Sequence, residues 1–131
     1  MASDGPILVV EDDDDIRDVM QDILASEGFR VDVAKDGLDA LSKLDVGAEP
    51  PLILLDMMMP RMDGEAFLKV LRDKPTLAHA PVVVISGSAA ARETARKLQA
   101  TACLMKPFEL DELLGMIRRV MREAAIHDSP G

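Results

Sequence analysis

The chain contains no tryptophan, no tyrosine and only three phenylalanines. A platform that stacks nucleic-acid bases needs aromatic faces, and this composition excludes one. Cysteine occurs once, at Cys103, which excludes an internal disulfide and suits a reducing cytosol. No apolar run approaches the roughly 20 residues that cross a bilayer, so no membrane association is expected. The opening residues Met1-Ala2-Ser3-Asp4-Gly5-Pro6 lack the basic n-region of a secretory signal. Basic residues are in deficit: 15 Lys and Arg stand against 24 Asp and Glu, a net charge of −9. That balance argues against nucleic-acid binding by the domain as a whole. Linkers, internal repeats and low-complexity segments are also missing.

What is present fits one globular domain. Its 131 residues are 48% hydrophobic and 30% charged, enough for a real core. A single domain over 1–131 is expected, with a core from about 6 to 125 and flexible ends. The central stretch runs from Leu52 to Gly64. Leu52-Ile53-Leu54-Leu55 is a continuous apolar run, as expected of a strand covered on both faces, and it ends abruptly on Asp56. Pro60, Asp63 and Gly64 then turn the chain, with Asp63 placed to cap the next helix. Asp56 is thereby expected at the carboxyl end of a central parallel strand, where open α/β sheets bind their ligands.

The rest of the chain repeats this grammar. Ile7-Leu8-Val9-Val10 reads as a first strand ending in an acidic run from Glu11 to Asp15. Ile16, Val19, Met20, Ile23 and Leu24 recur at helical spacing until Gly28. Phe29 to Ala34 alternates like an edge strand, and Asp36-Gly37 leads into a helix with Leu38, Leu41 and Leu44 on one face. After the central strand, Phe67, Leu68, Val70 and Leu71 mark a third helix, broken by Pro75. Pro81-Val82-Val83-Val84-Ile85 reads as a fourth strand ending on Ser86-Gly87-Ser88. The Ala-rich helix from Ala89 to Leu98 should pack lightly and present Arg92, Arg96 and Lys97 to solvent. Ala102-Cys103-Leu104-Met105 is a fifth strand ending on Lys106. Leu110, Leu113, Leu114, Ile117, Val120 and Met121 give the last helix its apolar face, and a frayed polar tail is expected after Ala125. Strand–helix alternation five times over predicts a five-stranded parallel sheet with helices on both faces, in the flavodoxin-like order 2-1-3-4-5.

In such a sheet all carboxyl ends share one edge. Glu11 and Asp12 from strand one, Asp56 from strand three, Ser86 from strand four and Lys106 from strand five therefore converge. Three carboxylates without cationic relief repel one another, and oxygen ligands around Mg²⁺ are the expected remedy. Lys106 and the Ser86 hydroxyl complete an anion clamp. These parts suit phosphoryl transfer, which depends on positioning and charge neutralisation, with Asp56 as nucleophile forming an aspartyl phosphate.

Four motifs carry a family resemblance: Ile7-Leu8-Val9-Val10-Glu11-Asp12, the string from Asp56 to Gly64, Ser86 after a Val-rich strand, and Lys106-Pro107-Phe108. The Asp-x-x-Met-Pro-x-Met-Asp-Gly string is the most specific. Together they make residues 6 to 125 resemble a receiver domain of a two-component response regulator, of the stand-alone chemotaxis-regulator type. The resemblance implies a signalling switch rather than an enzyme, and places it in the cytoplasm as a monomer or weak dimer. Glu11, Asp12, Asp56 and the backbone carbonyl of Met58 would hold Mg²⁺. Asp56 would accept a phosphoryl group from a sensor histidine kinase or a histidine phosphotransfer protein. Ser86 and Lys106 would bind the phosphoryl group, and the Lys106-Pro107 peptide would be cis. Switching would reach a partner through the face made by helix four, strand five and helix five.

Two departures stand out. Receivers usually carry an aromatic residue three positions before the lysine; here it is Cys103, so half of the usual switch is missing. Gln99-Ala100-Thr101-Ala102 also lacks the usual Gly-Ala, and Glu11 stands where Asp is common. Asp13, Asp14 and Asp15 read as charges at a helix N-terminus, Met57, Met58 and Met59 as packing rather than soft-metal ligands, and Cys103 as a strand cysteine rather than a redox sensor. Arg118, Arg119 and Arg122 suit either a docking patch or a solvated face. His79 and His127 are assigned no role.

Two other functions compete. A haloacid-dehalogenase-type phosphatase also uses Asp, Mg²⁺, a hydroxyl and Lys, but its nucleophile follows strand one, where Asp12-Asp13-Asp14 matches only weakly. A pseudo-receiver would act as a phosphate-independent adaptor, which the intact acidic set opposes. Excision from a hybrid kinase is a further possibility, although the Met1 start favours a stand-alone chain. Phosphoryl lifetime in the family depends partly on the positions held here by Met58 and Ser88. Met58 has no polar group to orient a hydrolytic water, so slow self-dephosphorylation is predicted; rapid loss of label from purified phosphoprotein would refute this.

Overall fold

The apolar runs become the strands of one parallel sheet: β1 (Ile7–Val10), β2 (Val31–Ala34), β3 (Ile53–Asp56), β4 (Val82–Ser86) and β5 (Ala102–Met105). The computed structural model describes residues 6–46, 50, 52–57, 64–74, 77–78 and 80–128. The strand order is β2-β1-β3-β4-β5, and every neighbouring pair is parallel. The intervening helices are α1 (Asp14–Ser26), α2 (Gly37–Val46), α3 (Gly64–Asp73), α4 (Ala89–Lys97) and α5 (Leu110–Asp128). This is the doubly wound architecture that the strand–helix alternation predicts.

Burial follows from that order. The three inner strands β1, β3 and β4 are buried at every residue, which explains why they read as unbroken apolar runs rather than alternating ones. The edge strands β2 and β5 are only half covered. Side-chain alternation divides the core into two layers. Val9, Leu54, Val83, Ile85 and Leu104 face α1 and α5, where Leu24, Leu113 and Ile117 meet them. Val10, Leu55, Val84 and Cys103 face the other way, toward Ala40 of α2, Phe67, Leu68 and Leu71 of α3, and Ala95 of α4.

Local chemistry sets the helix ends. The Asp13 carboxylate accepts from the Ile16 N–H at 3.0 Å and caps α1, with Asp14 and Asp15 in its first turn. Negative charge there favours the helix dipole. Gly28, at φ +93°, carries the chain out of α1 in a conformation that L-residues rarely adopt. Ser88 caps α4 by accepting from Ala91 N–H at 3.1 Å. As expected, α4 packs lightly: Ala95 is its only buried residue.

Three expectations need correction. The second strand starts at Val31 rather than Phe29, because the Phe29 N–H donates to Leu24 O at the end of α1 instead of joining the sheet. Ile16, Val19, Leu38 and Leu110 are 46%, 54%, 48% and 46% exposed, although each sits on a helical stripe that predicts core. The last helix runs to Asp128, past the Ala125 boundary expected from composition. Met58, Met59, Pro60, Arg61, Met62 and Asp63 lie outside the described residues, as do Pro75 and His79, so the expected Asp63 cap and Met58 carbonyl ligand lie there too.

Two residues tie the elements together more tightly than the sequence suggests. The Arg72 guanidinium donates to Ala78 O and Ala80 O at 3.0 Å, to Gln99 O at 2.9 Å and to Leu98 O at 3.4 Å. One side chain thus joins the end of α3, the approach to β4 and the end of α4. Gly64 opens α3 in contact with the strand end. A Cβ built there would lie 2.5 Å from Met57 Cα and 3.0 Å from Asp56 O, and backbone cannot yield as a flexible side chain can. Replacing Arg72 by Ala should lower unfolding free energy by about 2–3 kcal/mol, because a charged donor to four carbonyls is lost; an unchanged urea midpoint would refute the tie. Gly64→Ala should cost about 1–3 kcal/mol by overpacking, read from the same unfolding curve, and a wild-type midpoint would show that the contact relaxes freely.

Candidate functional site

The site forms because parallel strands must end on the same edge. Beyond β1 the chain gives Glu11, which is buried, and Asp12, which is exposed; β3 ends on buried Asp56, β4 on buried Ser86, and β5 leads into Lys106. Since β1, β3, β4 and β5 are consecutive in space, the five predicted side chains are drawn to one stretch of that edge. Carboxylate oxygens of Glu11, Asp12 and Asp56 all lie within 4.8 Å of one another. Lys106 Nζ is 3.7 Å from Asp56 Oδ2, the ammonium partly in solvent and the carboxylate buried. The Lys106-Pro107 peptide is cis, and the Lys106 N–H donates to Ser86 O at 2.8 Å.

Electrostatics at this edge are set by burial first and by like charge second. Burial raises the Glu11 carboxyl to about 8, well above the usual carboxylate range, and the neighbouring Asp56 raises it further, against a lowering hydrogen bond from the Asp13 backbone. That bond runs from Asp13 N–H to Glu11 Oε2 at 3.2 Å. Arg17 donates to the Glu11 carbonyl at 3.0 Å and pairs with Asp14, which steadies the backbone on which Glu11 and Asp12 are carried. The donor set is hard oxygen throughout, with two members buried and one facing water. Such a set fits Mg²⁺, which takes few carboxylates and retains water, and Glu11, Asp12 and Asp56 are the residues that would hold it.

The Ser86 hydroxyl has its own partners. It donates to Ser88 O at 2.8 Å and accepts from Ser88 N–H at 3.2 Å. Ser88 in turn caps α4, so Ser86 is two hydrogen bonds from the start of that helix. Sequence reading found Ser86 and Lys106 but not Arg17 or the Gly64 contact. The Ser88 cap was also missed, although a hydroxyl immediately before an Ala-rich helix is its signal. Beside this edge, Ile16, Val19, Ile23, Phe108, Leu110 and Leu113 line an apolar cleft of about 380 Å³ between α1 and the start of α5.

Comparison with known proteins agrees with this arrangement. The family model described as a response regulator receiver domain matches residues 7–118. The chain is 36% identical over 121 residues to the transcriptional regulatory protein CpxR homolog of Haemophilus influenzae, covering 91% of this chain and 51% of that protein. It is 36% identical over 126 residues to the response regulator MprA of a Mycobacterium species, covering 95% and 54%. The chain therefore spans about half the length of these curated relatives. Among solved structures it is similar to the chemotaxis protein CheY4 of Vibrio cholerae, with a TM-score of 0.80 and 30% identity over 88% of this chain and 98% of that one. It is also similar to the signal receiver domain of a signal transduction histidine kinase from Syntrophus aciditrophicus, with a TM-score of 0.85 and 25% identity over 97% and 96%. No helix among the described residues is long and apolar enough to cross a membrane. With the sheet order, the acidic edge and a family match that contains the whole sheet, the chain belongs to the two-component response regulator receiver domain family.

Proposed function

We propose that this receiver accepts a phosphoryl group on Asp56 from the phosphohistidine of a sensor histidine kinase or a histidine phosphotransfer protein. The observation that carries the reading is the meeting of Glu11, Asp12 and Asp56 within 4.8 Å, with Lys106 3.7 Å from Asp56. In the transfer, an Asp56 carboxylate oxygen attacks phosphorus and the P–N bond to the donor imidazole breaks. The electron pair stays on the imidazole nitrogen, which then takes up a proton. Mg²⁺, when bound by Glu11, Asp12 and Asp56, supplies positive charge to the phosphoryl oxygens; the Met58 carbonyl is a further candidate ligand, outside the described residues. Lys106 adds a second positive charge. Ser86 exchanges its Ser88 partners for a phosphoryl oxygen, which changes the support of the α4 cap. Because Cys103 has no ring to reorient, this Ser86–Ser88 route carries the signal toward the face of α4, β5 and α5, where a partner reads it.

The exposed Ile16, Val19 and Leu110 support a docking role for α1 and the start of α5. A donor imidazole must approach Asp56 from the same edge, and this apolar cleft adjoins it. The usual location of receiver domains, the cytoplasm, goes with this reading. Among the alternatives, a phosphatase acting through Asp12 is disfavoured because Asp12 is exposed, whereas Asp56 is buried and faces Lys106. A phosphate-independent adaptor would have no use for two buried carboxylates in mutual repulsion.

The test is intact mass after incubation with acetyl phosphate, with and without Mg²⁺. Wild type should gain one phosphoryl adduct that requires Mg²⁺, and Asp56→Asn should gain none. An adduct that persists in Asp56→Asn would overturn Asp56 as the acceptor. Its absence from wild type, with a phosphorylated histidine donor as well, would favour the adaptor.

A further inference from the structure

Two of the three carboxylates at the acidic edge ride on a very short connection. Between the end of β1 at Val10 and the start of α1 at Asp14 lie only Glu11, Asp12 and Asp13. The third carboxylate, Asp56, is the last residue of a buried strand. How Glu11 and Asp12 stand against Asp56 is therefore decided by what holds those loop residues.

Their supports can be named. The Glu11 N–H donates to Ala34 O at the end of β2, at 3.0 Å. The Asp13 N–H donates to Glu11 Oε2 at 3.2 Å, and the Asp13 carboxylate caps α1. The Glu11 carbonyl accepts from the Arg17 guanidinium at 3.0 Å. The bond from Asp13 uses a carboxylate oxygen that the site needs for a cation. The bond from Arg17 uses backbone only, so it remains when the site is loaded.

Arg17 is the first basic residue of the chain, and the next is Arg30; the segment between Glu11 and Asp22 is otherwise crowded with Asp. The Arg17 side chain is 16% exposed, whereas that of Asp14, its ion-pair partner, is 83% exposed. A pair with so exposed a partner contributes little. The contact that the fold shelters is the one to the Glu11 carbonyl.

We propose that Arg17 is a positioning residue for the cation: from the first turn of α1 it holds the Glu11 carbonyl, sets Glu11 and Asp12 against Asp56, and so fixes the affinity of this edge for Mg²⁺. The proposal rests on the reading of the edge as a Mg²⁺ site and adds to it a residue outside the ligand set. Groups that orient metal ligands from behind typically change metal affinity by about 10–100-fold when removed.

Charge and position predict opposite signs. Arg17 is a cation beside a cation site, so by charge alone Arg17→Ala should bind Mg²⁺ more tightly. By loss of position it should bind more weakly. The experiment titrates the full chain, isotopically labelled for NMR, with Mg²⁺ and follows its backbone amides, because a chain without Trp or Tyr offers little intrinsic fluorescence. Arg17→Ala, and Arg17→Gln as a second variant too short to span the contact, should each raise the Mg²⁺ dissociation constant by about tenfold. Arg17→Lys, which keeps the charge and one donor group, should fall between them and wild type. In acetyl phosphate reactions followed by intact mass, the Mg²⁺ concentration for half-maximal rate should rise by the same factor. The rate at saturating Mg²⁺ should stay within about twofold of wild type. Arg72→Ala serves as the structural control: it acts ahead of β4, at the other end of the sheet, and should lower the urea midpoint without moving the Mg²⁺ constant.

An unchanged or lower constant in Arg17→Ala and Arg17→Gln would overturn the proposal. So would an equal rise in Arg72→Ala, or a loss of rate that saturating Mg²⁺ does not recover. Wild type without Mg²⁺-dependent shifts at Glu11, Asp12 or Asp56 would remove the Mg²⁺ site itself, and the role of Arg17 with it. Wild type and Arg17→Ala binding equally well would remove only the role of Arg17.

Discussion

Burial of carboxylates at one sheet edge, sharpened by their mutual repulsion, is the constraint to which the rest of the structure answers. Two like charges about 4 Å apart, at an effective dielectric near 20, repel by about 4 kcal/mol, a sizeable share of the roughly 5–15 kcal/mol that stabilises a domain. Lys106 provides one partly solvated counter-charge, at 3.7 Å from Asp56, and burial, with the Asp56 charge adding to it, still drives the Glu11 carboxyl to about 8. Such a group stays in place only because the backbone beneath it cannot move. Glu11 follows a strand buried at all four residues and Asp56 ends another. Gly64 closes against the Asp56–Met57 backbone without room for a Cβ. Apolar packing thus imposes an electrostatic arrangement that the carboxylates would not adopt by themselves, and a site under that strain favours a cation.

The helix next to the site is held differently at its two ends. At its carboxyl end, Arg72 fixes the carbonyls of Leu98 and Gln99. At its amino end, the Ser88 cap depends on contacts with the Ser86 hydroxyl. Between those ends only Ala95 is buried, so little apolar area resists a small displacement. A change of partner at Ser86 would therefore act on the loosely packed end of α4 while the other end stays anchored. No side chain on β5 needs to reorient for this, which is consistent with a cysteine at 103.

Much of this was legible in the sequence, and the exceptions have physical causes. Sheet order, the two-layer core and the position of Asp56 follow from apolar runs that stop on a polar residue, because an inner parallel strand must be apolar throughout and its end must meet water or ligand. Helical periodicity was less informative. It identifies the stripe on which Ile16, Val19, Leu38 and Leu110 lie, but it cannot say whether a neighbouring element reaches far enough to cover them. The Arg72 tie was hidden because its acceptors lie 6, 8, 26 and 27 residues along the chain and are backbone groups, which carry no sequence signal. Gly64 was legible as a turn residue, whereas its close approach to Met57 depends on where α3 docks. The Phe29 boundary failed because alternation continues through a residue whose N–H is already committed to α1.

Two incompletely covered apolar surfaces lie on opposite sides of the sheet. The cleft of Ile16, Val19, Phe108 and Leu110 belongs to the α1–α5 layer, whereas Cys103 and the alanines of α4 belong to the layer formed with α2 and α3. Their rims also differ in charge: Asp15 borders the first, and Arg92, Arg96 and Glu93, net positive, the second. A protein complementary to one is mismatched to the other, so the fold separates a surface beside the acidic edge from a surface beside the far strand. Lys106 and β5 stand between them, Lys106 Nζ 3.7 Å from Asp56 Oδ2 and its backbone three residues from Cys103. Chemistry at Asp56 can therefore be approached from the first surface without occluding the second, which a domain that receives a signal at one place and delivers it at another requires.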